Sequence, residues 1–408
     1  MYRVGIVGCG VAGTTAAYLL ARDGHQITLL ERAPKLGPIG AGILLQCSGQ
    51  AVLRYLGILD RVLKHAAPLV ELYARHTSGG TLIRTRFDDF ALGTRSYGVH
   101  RGVLFNALYT LVQSQPIDIR PGCEIVGREQ NAQGVVLTDV LGRHHGPFDF
   151  VIAADGSRSR LRSLSGFKTS ITEYDHGTLW LNAPGDGVAL TNPLNVESAN
   201  DPEAGKTGRL LQVVERNRKL FGLLPLGDGM VSLYWGLPVR EFKEVKNRGL
   251  DVLKREILKF APESAPVLEF VIDMEQFLFT SYRHIQVRQR YDERVILIGD
   301  SAHAMSPHLG QGINLAMMDA WRLAAAIRNC PTPVSAFQSF HKLQRDFVRY
   351  YSTITYLLSP FFQSDWWILG WGRDWALPLL PHIPLVKRQM LMTVCGLKSG
   401  FFRGQIKV

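Results

Sequence analysis

The spacing of apolar and polar residues changes twice along this chain. Up to about residue 177, short β-branched runs alternate with segments of helical period. From Thr178 to Phe279 strand-like segments follow one another, and beyond that helices dominate. Residues 3–7 read as a buried strand, 14–22 as a helix, and 27–30 as a second strand closed by Glu31. Residues 48–63 carry an amphipathic helix. Strands are expected at 69–85 and 95–99, then a helix at 103–112 opened by His100 and Arg101. Residues 117–122, 124–129 and 135–138 read as a short meander, and 150–154 as another buried strand.

In the middle section, Leu179-Trp-Leu and residues 209–214, 219–224 and 230–235 read as antiparallel strands. Pro225-Leu-Gly-Asp-Gly229 supplies a hairpin turn. Residues 197–206 are polar and read as a mobile loop, and 250–259 as a surface helix. Residues 295–298 form a short apolar run, a Pro- and Gly-rich loop follows, and 313–327 is Ala-rich enough for a buried helix. Residues 335–358 read as a long helix.

The composition fits a large folded chain. Its 408 residues are 46% hydrophobic and 20% charged, enough for two or three cores. The net charge of +11 favours anionic partners. No Lys/Arg-rich run is interleaved with aromatics, so no nucleic-acid partner is expected. The five cysteines are scattered without a C-x-x-C pair, which predicts a reducing, cytoplasmic setting and no metal site. Met1 is followed almost at once by a strand, and no apolar run reaches a membrane-spanning length.

Three motifs carry the chemistry. Gly8-Cys-Gly10-Val-Ala12-Gly13 lies between a strand and a helix, with the acid Glu31 about 20 residues on, the βαβ dinucleotide fingerprint. Gly8 permits the tight turn, Gly10 lets the backbone approach a pyrophosphate, and Gly13 lets helix pack on strand. Glu31 can accept from ribose hydroxyls, with Arg32 along the adenine or its ribose. The second motif is Asp155-Gly-Ser-Arg-Ser-Arg-Leu-Arg162, delivered by a buried strand. The third runs from Gly299-Asp300 through Ala302-His303 to Pro307, Gly310-Gln311-Gly312, Ile313 and Asn314. It sets a carboxylate at a strand's carboxyl edge beside a helix start, which suits a nucleotide whose ring turns negative on reduction.

Together these motifs resemble those of the FAD-dependent aromatic hydroxylases, the single-component flavoprotein monooxygenases typified by p-hydroxybenzoate hydroxylase. The resemblance covers roughly residues 1–330. It implies an α/β fold: a Rossmann-like FAD-binding domain (1–75, 98–177 and 280–334), an inserted antiparallel-sheet substrate domain (76–97 and 178–279), and a helical C-terminal region (335–408). It implies FAD held by Gly8, Gly10, Ala12, Gly13, Glu31, Arg32, Gly42, Arg101, Asp155, Gly299, Asp300, Pro307, Gly310, Gly312, Ile313 and Asn314. Arg101 is the candidate for the pyrophosphate, and the start of the helix at Gly312–Asn314 for the flavin O2. Pro307 stands where the family places a proline beside the ring. His303 is read as structural before catalytic. NADH or NADPH would reduce the flavin, and O₂ would add to give a C4a-hydroperoxyflavin that hydroxylates or epoxidises an aromatic or lipophilic molecule. The best-known members carry an arginine where this chain has Gly40. A prenyl-chain reductase or saturase, a flavin halogenase and a non-catalytic FAD scaffold are the alternatives; no W-x-W-x-I-P motif of the halogenases occurs. Tyr234 and Gln212 are expected to line the pocket.

The tail is less regular. Trp366, Trp367, Trp371 and Trp375 crowd ten residues, followed by a Pro-broken apolar run and a basic end without acids. It reads either as a lid packed over the substrate domain or as a peripheral membrane contact.

Overall fold

Five parallel strands hold the first motif. In the computed structural model, which describes residues 1–37, 40–185, 208–216, 218–402 and 404–406, β1 (Arg3–Val7) leads into α1 (Val11–Arg22) and β2 (Gln26–Glu31). β3 (Gly42–Leu45) then leaves this sheet. The expected helix at 48–63 is two, α2 (Cys47–Tyr55) and α3 (Leu59–Leu63). Gly57 divides them with φ +74°, a left-handed turn no helix accommodates. β4 (Ala66–His76), β5 (Thr81–Arg86) and β6 (Ser96–His100) precede α4 (Arg101–Gln113).

The meander expected at 117–138 is also divided. β7 (Asp118–Pro121) pairs parallel with β2 at the edge of the first sheet, whereas β8 (Ile125–Asn131), β9 (Gly134–Asp139) and β10 (His144–Phe148) form a small sheet of their own. β11 (Phe150–Ala153) returns to the first sheet beside β1, and α5 (Arg160–Leu164) follows.

The second large sheet begins earlier than its sequence pattern. β12 runs from Thr169 to Pro184; residues 169–175 are exposed or half-buried on both faces and a register shift against its partner strand follows Glu173, so no clean period announces it. β13 (Gly208–Glu215), β14 (Lys219–Gly227) and β15 (Met230–Pro238) complete the middle. Asp228 and Gly229 turn the β14–β15 hairpin at φ +50° and +69°, the two positive values a tight hairpin wants. The loop expected at 197–206 lies outside the described residues. Helices α6 (Phe242–Arg248), α7 (Leu250–Phe260) and α8 (Ala265–Glu269) cover one face of this sheet around Leu253, Ile257 and Phe260. β16 (Leu278–Val287) pairs with β12 at its edge.

β17 (Val295–Leu297) closes the first sheet, whose order is β17-β11-β1-β2-β7. All its described pairings are parallel. Its residues Val4, Ile6, Phe150, Ile152 and Ile296 are fully buried, as strands covered on both faces must be. The short α9 (Asp300–His303) leads to α10 (Gly312–Asn329), which packs on α1, and α11 (Pro333–Phe362) crosses α10. α12 (Trp367–Ala376) and α13 (Pro384–Val394) finish the chain. The nine-stranded sheet runs β16-β12-β15-β14-β13-β4-β6-β3, with β5 on β4. One cavity lies between the two large sheets.

Candidate active site

The glycines of the first motif meet three different demands. Gly8 sits at φ +106°, and a side chain there would strike the Ala154 carbonyl at 2.3 Å. A side chain at Gly13 would strike the Gly8 carbonyl at 1.9 Å, so α1 can lie this close to β1 only with glycine. Gly10 faces open space, with nothing of the protein within 4 Å of where its Cβ would stand. α1 starts there with no side-chain cap, leaving its first N–H groups free to point outward.

The third motif brings a second uncapped helix start to the same place. α10 begins at Gly312 with Gln311 as its uncapped N-terminal neighbour, and a Cβ on Gly312 would stand 4.0 Å from Asp300 Oδ1. Gly10, Ala12, Gly42, Arg101, Asp300, Pro307, Gly310, Gly312 and Ile313 all line one cavity of about 510 Å³. Two bare helix starts, an open glycine cradle and a carboxylate make a donor–acceptor set that fits FAD: donors for a pyrophosphate and a reduced ring, an acceptor for ribityl hydroxyls.

Other expected site residues stand behind this wall. Glu31 accepts from the backbone N–H of Cys9 at 2.7 Å and of Ala33 at 3.0 Å, which fixes the turn after β1. Asp155 accepts from the N–H groups of Arg160 and Leu161 at the start of α5, while Gly156 and Ser157 reach the cavity. Burial raises its carboxyl, against the Ser159 and backbone hydrogen bonds. Arg162 is buried and donates to the carbonyls of Ser301 and Ser157, tying the second motif to the third. Asn314 is buried, accepting from Gln46 N–H and donating to the Leu44 and Gly310 carbonyls. Gly8, Gly13, Arg32 and Gly299 likewise do not line the cavity.

His303 has a structural partner that sequence reasoning missed. Its Nε2 lies 2.6 Å from Asp319 Oδ2, which also accepts from Gly299 N–H at 2.8 Å. Gln344 donates to the other Asp319 oxygen at 2.5 Å. Asp319 is fully buried on α10; although burial opposes it, the His303 and Arg290 charges hold its carboxyl below the usual range. This set fastens the Gly299-Asp300 turn to α10. A single acid in the buried, Ala-rich stretch of this helix was the available signal.

Gly40 and Arg101 also explain each other. A side chain at Gly40 would meet Arg101 Cδ at 2.6 Å and Nη1 at 2.8 Å, so Arg101 fills the space beside that loop.

The far end of the cavity is lined by Leu72, Trp180, Leu210, Gln212, Leu224 and Tyr234, among others. Gln212 donates to Tyr234 Oη at 3.0 Å. Burial pushes the Tyr234 phenol well above its ordinary range and that of Tyr282 up to about 12. His308 lines this end too; burial holds its imidazole down to about 4.

Three tail tryptophans are not part of this lining. Trp366, Trp371 and Trp375 are 72%, 69% and 69% exposed, so of the two readings of the tail these three side chains do not carry the lid. Gln363 at the end of α11 and Val394 on α13 reach the cavity instead. Cys123, Asp139 and His145 cluster within 4.8 Å. Arg143 already donates to Asp139 at 2.6 Å and to Cys123 Sγ at 3.5 Å, so its guanidinium group holds the place a cation would take.

The fold and cavity define a flavoprotein oxidoreductase of the hydroxylase type. A family model described as "FAD binding domain" matches residues 1–331, and the chain belongs to that family. It is an FAD-dependent monooxygenase, related to the aromatic hydroxylases, with NADH or NADPH as the reductant typical of the family. It is 23% identical over 406 residues to a probable 2-heptyl-3-hydroxy-4(1H)-quinolone synthase of Rhodococcus erythropolis, covering 98% of this chain and 94% of that one. It is 26% identical over 341 residues to the 6-hydroxynicotinate 3-monooxygenase of Pseudomonas fluorescens, covering 80% and 82%. Among solved structures, Klebsiella pneumoniae HpxO complexed with FAD superposes with a TM-score of 0.78 at 20% identity over 97% of this chain and 99% of that one. The tetrameric form of 2-methyl-3-hydroxypyridine-5-carboxylic acid oxygenase gives 0.74 at 22%, covering 92% and 97%. The reductase, halogenase and scaffold readings are not favoured by these relatives.

Proposed function

We propose that this monooxygenase acts on a neutral, lipophilic aromatic molecule, adding one oxygen atom from O₂. One observation carries this: the charge inventory of the cavity. Its described charged lining residues are Arg101, Asp300 and Arg283. The first two are taken by the cofactor in this reading, and Arg283 is paired with Glu173 at 2.7 Å. No cation remains among the described lining residues for a substrate carboxylate, and burying an unpaired carboxylate is costly. The heptyl-quinolone name of one relative supports a neutral ring with an alkyl chain.

The division of labour follows. The α1 start at Gly10 and Ala12, with Arg101, would hold the pyrophosphate; Glu31 and Arg32 the adenosine end; Asp300 the ribityl chain. Gly312, Ile313 and Asn314 open the helix whose N–H groups would stabilise the reduced ring, and Pro307 would lie beside it. FAD, once reduced, supplies the activation of O₂ and the transfer of oxygen. The protein's own tasks are to orient the ring and exclude water, which Leu72, Leu210, Leu224 and Tyr234 serve. In this reading residues 1–75, 98–177 and 280–334 form the FAD-binding domain, and 76–97 and 178–279 the substrate domain.

The test is ¹⁸O₂ turnover with product mass spectrometry on 2-heptyl-4(1H)-quinolone and 2-naphthol, against 3-hydroxybenzoate and 6-hydroxynicotinate. Neutral compounds should stimulate NAD(P)H oxidation and gain one labelled oxygen. Stimulation by the carboxylates alone, or product formed without O₂, would overturn the proposal.

A lipid-surface approach is the finer part of the reading. Ile368, Trp371, Trp375 and Leu379 recur at helical spacing along and just past α12 and are each at least half exposed. Among the described residues no helix is long and apolar enough to span a bilayer. This row would therefore lie along a surface, bringing lipophilic substrate near the cavity. Co-sedimentation with anionic vesicles should be lost in a Trp371→Ser/Trp375→Ser variant; equal sedimentation of variant and parent would discard the membrane contact.

A further inference from the structure

Two of the cysteines meet although nearly the whole chain separates them. Cys47 is the first residue of α2 and Cys395 closes α13. Their segments touch: a side chain at Gly396 would stand 2.5 Å from Ser48 Oγ, and the Gln311 amide donates to the Thr393 carbonyl at 3.1 Å. The two thiols lie close enough that each shifts the titration of the other. Both side chains pack on the core that holds α1 and α10.

The two thiols are unequal. Cys395 is fully buried, and its interaction with Cys47, then burial, push it far above the ordinary thiol range. Cys47 is partly accessible. The interaction with Cys395 holds it below that range; burial opposes this, while a backbone contact and Arg54 help. A partly exposed thiol with a lowered pKa beside a buried thiol with a raised one is the arrangement of an attacking and a resolving cysteine. Cys9 and Cys123, by contrast, are buried and raised, Cys9 up to about 12.

We propose that Cys47 and Cys395 form a reversible disulfide, with hydrogen peroxide as oxidant, that fastens the C-terminal region to the wall of the cofactor cavity. The Cys47 thiolate attacks peroxide, breaking the O–O bond and leaving a sulfenic acid and, with one proton, water. The Cys395 sulfur then attacks the Cys47 sulfur; the S–S bond forms, the S–O bond breaks and a second water leaves. Two thiols lose two electrons, and peroxide gains them. Peroxide is also what O₂ becomes on two-electron reduction when no oxygen reaches a substrate, so the oxidant arises where this enzyme idles. Val394, beside Cys395, lines the cavity, and the bond pins that wall.

The experiment treats FAD-loaded enzyme, without NAD(P)H, with a small excess of hydrogen peroxide. Free thiols are then alkylated and the protein digested without reductant. The expected product is a linked Cys47–Cys395 peptide pair, two hydrogens lighter than its reduced parts and separated by dithiothreitol. Oxidation should raise the unfolding temperature of the parent and of Cys330→Ser but not of Cys47→Ser. In Cys395→Ser, dimedone should trap Cys47 as sulfenic acid; should that variant fail to fold, parent and Cys47→Ser still decide. Recovery of both cysteines alkylated after peroxide, or of Cys47 oxidised further without the cross-link, would overturn the proposal.

Discussion

Asp300 and Gly10 are the residues at which cofactor affinity can be read most directly. Asp300 accepts no hydrogen bond from the described residues and opens on the cavity, so its removal leaves the fold untouched but deprives ribityl hydroxyls of a charged acceptor. Asp300→Ala should weaken FAD about ten- to a hundred-fold, the equivalent of ~1.5–3 kcal/mol, in equilibrium titrations of apoprotein. Gly10→Val should do worse, because its side chain would enter space left open by the protein. Unchanged affinity in either would detach that residue from the cofactor. Asp319 differs in kind: Asp319→Ala strands His303 and the Gly299 N–H in a buried site. It should lower unfolding free energy by about 3–5 kcal/mol in urea, measured on FAD-free protein. The glycines were legible in the sequence because their demands are local: a turn, an approach, a helix against its own strand. Asp319 was not, since its partners lie 16, 20 and 25 residues away.

At the scale of elements, α12 shows why the tail resisted reading. Apolar residues occur on every side of it, and only the folded helix reveals which way it faces. Arg373 points inward and is 1% exposed, donating to the Phe361 and Arg216 carbonyls at 2.9 and 2.8 Å and to Asp374 at 2.7 Å. Trp371 and Trp375 are left outside. A buried arginine and exposed indoles invert the usual order, and the Arg216 carbonyl that causes it is 157 residues away. Arg373→Ala should speed amide exchange throughout α12 and cost on the order of 3 kcal/mol, because buried carbonyls and Asp374 lose their donor. Trp371→Ser should stay within about 0.5 kcal/mol of the parent, as exposed substitutions do. Equal effects would mean that the helix is held by its indoles. The β14–β15 hairpin and α7 were legible for the converse reason: an Asp-Gly turn and an amphipathic stripe are complete within their own sequence. β7 was misplaced because parallel pairing with β2 is set by residues some ninety positions back.

For the molecule as a whole, burial of neutral imidazoles sets the response to acid. His25, His176, His284, His308 and His341 are all lowered from the usual 6.5, burial being the first cause in each, and His308 reaches about 4. A depressed histidine is neutral in the folded chain while the unfolded chain takes up the proton. Between the two values the unfolded state binds more protons, so stability rises with pH. The contribution is therefore complete above about pH 6.5 and is lost as pH falls through the window towards 4. His308 alone is worth on the order of 3 kcal/mol across it. Asp319, lowered by His303 and Arg290 against the effect of burial, acts in the same direction at still lower pH. The chain also carries a net charge of +11, which grows as acid is added and repels itself in any compact state. Urea unfolding at pH 7.5, 6.0, 5.0 and 4.5, on FAD-free and FAD-saturated protein, separates folding from cofactor loss. Stability should be level above about pH 7 and fall steadily below 6.5 in both forms. A His308→Gln variant keeps the same net charge at neutral pH but cannot titrate, so its profile should be visibly flatter between pH 6 and 4.5. If the variant falls as steeply as the parent, general charge repulsion and not buried histidine governs the acid limit of this fold.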